Sequence, residues 1–261
     1  MTILSADKLN IAYEERTIVK DLNLEFRPGK ITAIIGPNGC GKSTILKTMA
    51  RLHPAASGAV FLDGKLIHKE PAKEVAKKLA ILPQSPQSPE GLSVHELISY
   101  GRTPHQTGFS RLSARDLSMI DWSLEVTGLG DLKDQAVDTL SGGQRQRAWI
   151  AMAIAQETDL LMLDEPTTYL DLSHQLEVLQ LLQKINRDNG RTIVMVLHDL
   201  NQAARFAHEL VAIKGGGIVR QGTPDEVMTA GMLQQVFNIE AEIVADPRTG
   251  KPAMISYDLI R

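Results

Sequence analysis

The sequence predicts an α/β fold with a parallel sheet, an antiparallel β part near the N-terminus and an inserted α-helical part. In the second half, short and wholly apolar runs alternate with helix-patterned segments, as is typical of parallel strands buried on both faces. Over residues 2–26 apolar and polar residues instead alternate, which indicates half-buried antiparallel strands. Helical spacing recurs without strands over 93–101 and 114–127, which predicts the helical insertion.

The elements can be placed in chain order from these periodicities and from the glycines and prolines between them. We predict strands within 2–26 and at 31–35, 58–64, 79–82, 159–163, 192–197 and around 215–217, and helices at 44–49, 72–78, 93–101, 114–127, 142–156, 173–189, 199–208 and within 224–237. The strand at 58–64 is expected to join the sheet formed by 2–26.

One domain is expected over 1–261. The stretch 83–89 is too rich in proline for a helix or strand, so we place a subdomain boundary there. The core with its β subdomain is then 1–85 and 141–261, and the helical subdomain is 86–140.

Composition narrows the function classes. The chain has 261 residues, 43% hydrophobic and 23% charged, which is ordinary for a globular protein. A net charge of −3 without a basic cluster argues against nucleic acid as a partner. The single cysteine, Cys40, excludes an internal disulfide and fits a reducing compartment. No signal pattern and no apolar run of roughly 18 residues is present, so we expect a cytoplasmic chain that lies beside any membrane it serves.

A glycine-rich loop follows the apolar run 31–35 and opens a helix. It reads Gly36, Pro37, Asn38, Gly39, Cys40, Gly41, Lys42, Ser43, Thr44. In this order of strand, loop and helix, backbone N–H groups cradle phosphate oxygens, Lys42 reaches the β- and γ-phosphates, and the Ser43 hydroxyl ligates Mg²⁺. The loop predicts a phosphate-loop NTPase core and leaves kinase, GTPase, ATPase and motor open. A plain glycine-rich turn is the weaker interpretation.

Two carboxylates follow the apolar strand at 160–163. Asp164 at such a strand tip is placed to hold Mg²⁺, usually through water. Glu165, one residue on, could take a proton from the attacking water or orient it. A solvated strand end is the plain alternative, but beside a phosphate loop the pair favours hydrolysis over transfer to a second substrate.

A second glycine segment precedes the helix expected up to residue 156. In it Leu140 and Ser141 are followed by Gly142, Gly143 and Gln144. Glycines at a helix start expose N–H groups at the positive end of the macrodipole, which predicts a second anion site without its own lysine. Taken alone, Ser141 could be only a helix cap.

These three segments together resemble the nucleotide-binding subunits of ATP-binding-cassette transporters, and the resemblance covers nearly the whole chain. It implies ATP and Mg²⁺ as cofactors. Four further positions match the family's order: Tyr13 for stacking on adenine, Gln84 for the Mg²⁺ and attacking-water region and for coupling to a permease, Asp171 for the dimer interface, and His198 for the γ-phosphate. Each has a plain alternative, respectively a surface aromatic, a polar loop residue, a helix cap and an ordinary histidine. Cys40 stands where the family often has serine, and no redox function is assigned to it.

The same resemblance implies an assembly. Two copies of the chain would pair head to tail, so that the phosphate loop of one and Ser141, Gly142 and Gly143 of the other enclose one ATP. An integral membrane permease would rest near Gln84 and the helical subdomain, which places the chain at the cytoplasmic face of the cell membrane as a peripheral protein. A substrate-binding protein would be an indirect partner.

Segments 141–152, 164–175 and 198–203 look like the bacterial importer subgroup for ferric siderophores, haem and vitamin B12. Ferric siderophore is our first choice of cargo, with haem or vitamin B12 as the alternative. The cargo would not touch this subunit, so His174 and His198 are not expected to form a metal pair. A permease-independent cassette ATPase, as in DNA repair or on ribosomes, stays open, whereas a nucleotide kinase would leave 140–144 unexplained. Neighbouring permease and binding-protein genes would distinguish these classes.

Overall fold

The computed structural model describes residues 2–14, 16–106 and 111–260. The chain forms two compact units, one of Met1–Lys69 with Thr192–Arg261 and the other of Glu70–Arg191. Both contain parallel strands and helices, so the predicted α/β class is confirmed. The finer division expected at 85/86 and 140/141 stays a prediction.

The strands alternate with helices through most of the chain. The strands are β1 (Leu4–Tyr13), β2 (Arg16–Phe26), β3 (Ile31–Ile35), β4 (Ser57–Leu62), β5 (Lys65–Leu66), β6 (Leu79–Leu82), β7 (Leu160–Leu163), β8 (Thr192–Val196), β9 (Glu209–Lys214), β10 (Gly217–Gly222), β11 (Ile239–Ala245) and β12 (Pro252–Leu259). The α-helices are α1 (Lys42–Met49), α2 (Ala72–Ala76), α3 (Val94–Tyr100), α4 (Ala114–Val126), α5 (Gly142–Ala155), α6 (Leu172–Asn189), α7 (Leu200–Phe206), α8 (Pro224–Val227) and α9 (Ala230–Phe237). Short 3₁₀ turns lie at Thr103–His105, Gly130–Leu132 and Val137–Thr139.

The first unit combines an antiparallel and a parallel arrangement. Strands β2, β1, β4 and β5 lie in that order in an antiparallel sheet, so the expected addition of the strand near residue 58 is confirmed. Strand β3 pairs in parallel with β8 on one side and β9 on the other, and β10 joins β9 antiparallel. Every residue of β3 and β8 is buried, which explains why each strand is apolar except for one threonine, Thr32 or Thr192.

The second unit is largely helical around one parallel pair. Strand β6 pairs with β7 over their whole lengths. Helix α5 packs against α3, α4 and α6, and most of its second half is buried. A helix covered on several sides is apolar around much of its circumference, which accounts for the run of alanine and isoleucine in α5.

Several element boundaries differ from the sequence-based prediction by one or two residues, and one pair of strands was not predicted. Helix α1 begins at Lys42, two residues early, because Gly41 takes a left-handed conformation with φ of 103° and serves as its N-cap residue. Helix α7 ends at Phe206, two residues before the expected end. Strands β11 and β12 form an antiparallel hairpin in the tail, to which the periodicity analysis assigned no element.

Within 2–14, 16–106 and 111–260 we find no helix that combines the length and the apolar character needed to cross a bilayer.

A buried arginine ties the helices of the second unit together. The Arg102 side chain is 1% exposed, and its Nε donates to Asp116 Oδ1 at 2.8 Å. Its Nη1 donates to the carbonyl of Ala155 at 2.6 Å and to Glu157 Oε2 at 3.1 Å. Arg102 therefore joins the end of α3, the start of α4 and the end of α5.

The pairing with Arg102 affects the pKa of the Asp116 carboxyl. Burial alone would raise the pKa, but hydrogen bonds from Ser113 and Arg102 outweigh it and lower the pKa of Asp116 to about 2. A carboxyl whose pKa is lowered by folding stabilises the fold above its unfolded pKa near 4, and this contribution is lost as the pH falls toward 2.

We predict that Arg102→Met lowers the free energy of unfolding of this unit by about 3–5 kcal/mol, because it leaves two carboxylates without their buried cation. Arg115→Met is the matched control, since Arg115 also pairs with Glu157 but its side chain is 76% exposed. That change should cost less than about 1 kcal/mol. Urea unfolding followed by circular dichroism measures both, and equal losses would contradict the structural role of Arg102.

Candidate functional site

In the first unit, the phosphate loop turns away from the buried strand β3 with no room for a side chain at Gly36. A Cβ atom there would lie 2.2 Å from the carbonyl oxygen of Ile213 and 2.9 Å from Cys40 Sγ. Gly39 has φ of 75°, and nothing lies within 4 Å of its Cβ position. The loop is thus held tightly at its start and is open at its tip, which suits a cradle for phosphate oxygens.

Lys42 lies inside this loop. Its side chain donates to the carbonyl oxygens of Gly36 at 2.8 Å and Pro37 at 3.0 Å, and the residue is 5% exposed. A buried ammonium held over the loop is a fixed positive charge for an anionic ligand. Ser43 follows in the first turn of α1, where its hydroxyl is a hard oxygen donor of the kind Mg²⁺ prefers.

Cys40 contributes packing and backbone to the loop. Its carbonyl oxygen accepts from the N–H of Gly216 at 3.1 Å. Burial raises the pKa of its thiol, so the thiol stays protonated at neutral pH and is a poor nucleophile. This agrees with assigning it no redox function.

His198 follows strand β8 at the edge where the phosphate loop follows β3. Ile34 pairs with Val196 in the parallel register, and the Leu197 N–H donates to the Ile34 carbonyl at 3.2 Å. Because neighbouring parallel strands end at the same edge, His198 and Gly36 lie side by side in the sheet order. The first unit therefore brings together the loop and this histidine.

Tyr13 ends strand β1 and is 46% exposed. Its ring meets the ring of His53 edge to face, with 4.4 Å between centroids and 67° between planes. One face of an exposed aromatic held this way is suitable for stacking on a base, but its role toward adenine stays a prediction.

In the second unit, Gln84 and Glu165 follow the paired strands β6 and β7 and touch. Leu82 pairs with Leu163, and the Asp164 N–H donates to the Leu82 carbonyl at 2.9 Å. Gln84 Nε2 donates to Glu165 Oε2 at 2.6 Å. Two residues that are 81 positions apart in sequence are thereby fixed against each other.

Glu165 is also held by its own turn. It has φ of 54°, in the left-handed region that non-glycine residues seldom occupy. Thr168 Oγ1 donates to the same Oε2 at 3.0 Å. The carboxylate is thus oriented by two donors on one oxygen, while Asp164 beside it is 1% exposed.

The segment before α5 forms a reciprocal cap. Ser141 Oγ accepts from the Gln144 N–H at 3.3 Å, and Gln144 Oε1 accepts from the Ser141 N–H at 3.0 Å. Ser141 and Gly142 are exposed and Gly143 is buried. The capping interpretation is therefore correct, and it leaves an exposed helix start with the partial positive charge that an anion needs.

Asp171 caps the start of α6. Its Oδ1 accepts from the His174 N–H at 2.9 Å, from Ser173 Oγ at 2.8 Å and from His174 Nδ1 at 2.8 Å. Hydrogen bonds from the His174 backbone, the Ser173 hydroxyl and the His174 ring lower the pKa of Asp171 to about 2. Tyr169 and Leu172, which flank Asp171, are 89% and 66% exposed. This turn therefore presents two large apolar side chains beside the charged Asp171.

Each unit therefore carries a separate set of groups with coherent chemistry. The first offers a phosphate cradle, an ammonium and a hydroxyl. The second offers oriented carboxylates, an amide and an exposed helix start. Sequence reasoning missed the hydrogen bonds that Thr168 and Gln84 donate to Glu165, because strand ends place residues at one sheet edge but do not predict which side chains touch.

The sequence is similar to those of known proteins. The sequence profile described as "ABC transporter" matches residues 19–168. The chain is 59% identical over 261 residues to "Iron(3+)-hydroxamate import ATP-binding protein FhuC" of Bacillus subtilis (strain 168), covering 100% of this chain and 97% of that protein. It is 47% identical over 252 residues to "Ferric enterobactin transport ATP-binding protein FepC" of Escherichia coli (strain K12), covering 97% and 93%.

A solved structure supports the same relation. "Dimeric Structure of MJ0796, a Bacterial ABC Transporter Cassette" superimposes with a TM-score of 0.74 at 27% sequence identity. The match covers 84% of this chain and 98% of that one.

We predict that Thr168→Val slows ATP hydrolysis about tenfold without changing ATP affinity, because one donor to a charged carboxylate is worth about 1.5–3 kcal/mol. Thr168→Ser keeps the hydroxyl and should retain most of the rate. Steady-state phosphate release and equilibrium nucleotide binding measure the two quantities. Wild-type turnover in Thr168→Val would remove Thr168 from the description of Glu165.

Proposed function

Because the chain belongs to the ABC transporter family, we propose that it is the ATP-hydrolysing subunit that powers import of ferric siderophore complexes through a partner membrane permease. The observation that carries this proposal is its whole-length similarity to a protein named for iron(3+)-hydroxamate import. The phosphate loop and the oriented carboxylate supply the chemistry that such a subunit needs.

ATP is the proposed nucleotide of the loop from Gly36 to Thr44. Support comes from the space at Gly39 and from the buried ammonium of Lys42, which suit the β- and γ-phosphates. Tyr13 is proposed to stack on adenine, a contact worth on the order of 1–3 kcal/mol by analogy with nucleic-acid sites. His198 is proposed to contact the γ-phosphate from the end of β8.

The Ser43 hydroxyl in the first unit is proposed as a ligand of Mg²⁺, and in the second unit the Asp164 carboxylate and Gln84 are each proposed as groups that can hold Mg²⁺. Bound there, it would neutralise charge on the phosphate oxygens. Glu165 is proposed to take the proton of the attacking water, and the donors Gln84 and Thr168 fix the direction of its carboxylate. The protein's part in the reaction is positioning and charge.

Two copies are proposed to pair head to tail around ATP. The phosphate loop of one copy and Ser141, Gly142, Gly143 and Gln144 of the other would enclose each nucleotide, and Asp171 would cross the interface. The exposed helix start at Ser141 and the exposed Tyr169 and Leu172 beside Asp171 support this, as does the dimeric cassette to which the chain is similar. Hydrolysis would remove the phosphate that both copies contact and open the pair.

The membrane partner is proposed to be an integral permease that rests near Gln84 and residues 86–140. The chain itself would then be peripheral, at the cytoplasmic face of the cell membrane, with a substrate-binding protein as an indirect partner and no nucleic acid. The contact of Gln84 with Glu165 supports this coupling, because a shift of the Gln84 amide would change its hydrogen bond to the Glu165 carboxylate.

We predict that deleting the gene abolishes uptake of at least one ferric siderophore and that the wild-type gene restores it. Lys42→Ala and Glu165→Gln forms should both fail to restore uptake, the first through lost phosphate binding and the second through lost hydrolysis. Uptake of radiolabelled iron, with each siderophore supplied in turn under iron limitation, is the measurement. Thr168→Ser is the matched substitution that should restore uptake.

The outcome of this test separates the alternatives. Loss of haem or vitamin B12 uptake with unchanged siderophore uptake would change the cargo and keep the importer. Unchanged uptake of all three, in a cell without a second such ATPase, would contradict the importer and favour a permease-independent ATPase.

A further inference from the structure

His174 touches two functional segments of the second unit at once. Its Nδ1 lies 2.8 Å from Asp171 Oδ1, and because a carboxylate at neutral pH only accepts hydrogen bonds, Nδ1 is the protonated, donating nitrogen. The backbone N–H of His174 donates to the same oxygen at 2.9 Å. These hydrogen bonds to Asp171 fix the orientation of the His174 imidazole.

The other edge of the ring lies on the glycine segment that starts α5. A Cβ atom at Gly143 would lie 2.3 Å from His174 Cδ2, 2.7 Å from its Cγ and 3.1 Å from its Cβ. Gly143 thus has no room for a side chain in this structure, because the ring occupies that space. This contact gives a steric reason for the glycine, independent of any ligand.

We propose that His174 is a positioning residue that sets the distance between Asp171 and the start of α5 around Gly143. This inference rests on the proposed head-to-tail pair, in which both segments face the second copy of this chain. A planar ring with one edge hydrogen-bonded and the other packed on a glycine transmits a displacement of either segment to the other. Asp171 and the start of α5 would then keep a fixed spacing when they contact ATP and the second copy.

Neighbouring contacts show that His174 is not the sole link between α5 and α6. One turn further on, Arg147 Nη1 pairs with Glu177 Oε2 at 2.5 Å, so the two helices stay together without the imidazole. Ser173 also bonds Asp171 Oδ1, but within 4 Å of the Gly143 Cβ position the nearest atoms belong to His174. These two contacts provide controls for helix packing and for carboxylate capping.

The experiment measures ATP-dependent dimerisation by sedimentation velocity with ATP and Mg²⁺, in a Glu165→Gln chain that keeps the nucleotide. Adding His174→Ala should raise the dimer dissociation constant about tenfold, whereas nucleotide affinity of the monomer stays within about twofold. Ser173→Ala and Glu177→Gln, each in the same chain, should change the dimer constant less than about threefold. Circular dichroism checks that each variant is folded.

His174→Asn covers the case in which His174→Ala fails to fold. Its amide can still donate to Asp171, but it lacks the ring edge that lies on Gly143. It should weaken the dimer to a value between the parent chain and His174→Ala, and with the Glu165 carboxylate restored it should lower kcat for hydrolysis without raising the KM for ATP by the same factor.

Different results would contradict the proposed head-to-tail pair and the role of His174. If the Glu165→Gln chain forms no dimer with ATP, the proposed head-to-tail pair is contradicted, and the inference with it. If that chain dimerises and His174→Ala or His174→Asn dimerises equally well, the role of His174 is wrong and the proposed function stands. If Ser173→Ala weakens the dimer as much as His174→Ala does, the loss comes from capping of α6 and not from the ring. That result would also overturn the inference.

Discussion

Parallel pairing of largely buried strands determines where the candidate site residues of this chain lie. A strand buried on both faces carries few polar side chains, here Thr32 in β3 and Thr192 in β8, so the charged and amide residues follow the strand, and neighbouring parallel strands end at one edge. In the first unit β3 and β8 deliver Gly36 and His198 to that edge. In the second, β6 and β7 deliver Gln84 and Glu165, which meet at 2.6 Å. The loop geometry, the left-handed turn at Glu165 and the donor at Thr168 all depend on these strand ends.

Sequence periodicity was sufficient to predict these buried strands, because β3, β6, β7 and β8 are short, mostly apolar runs that each begin after a charged residue. The C-terminal hairpin was within reach of the same method, since Ile239–Ala245 alternates apolar and polar residues at its start. The buried Arg102 cluster and the contact of His174 with Gly143 were not within reach. Each joins residues brought together only by helix packing, and no local pattern marks an arginine as buried or a helical glycine as crowded.

Helix capping and the proposed function involve the same residues at two helix starts of the second unit. Ser141 caps α5 and Asp171 caps α6, and both caps leave exposed groups that a lone subunit presents to solvent. A structural reason for each residue therefore does not compete with the proposed role at a dimer interface. The proposed head-to-tail pair instead requires that the helix start at Ser141 acts on nucleotide held by the phosphate loop of another copy.

Mixing two inactive variants tests this requirement most directly. Chains with Lys42→Ala and chains with Ser141→Arg are combined, and ATP hydrolysis is compared with that of each variant alone. In a head-to-tail pair, one composite site then carries both defects and the other carries neither, so the mixture should hydrolyse ATP faster than both parents, with a maximum near equal amounts. Activity at every ratio no higher than the weighted sum of the two parents would contradict the arrangement in which one copy completes the site of the other.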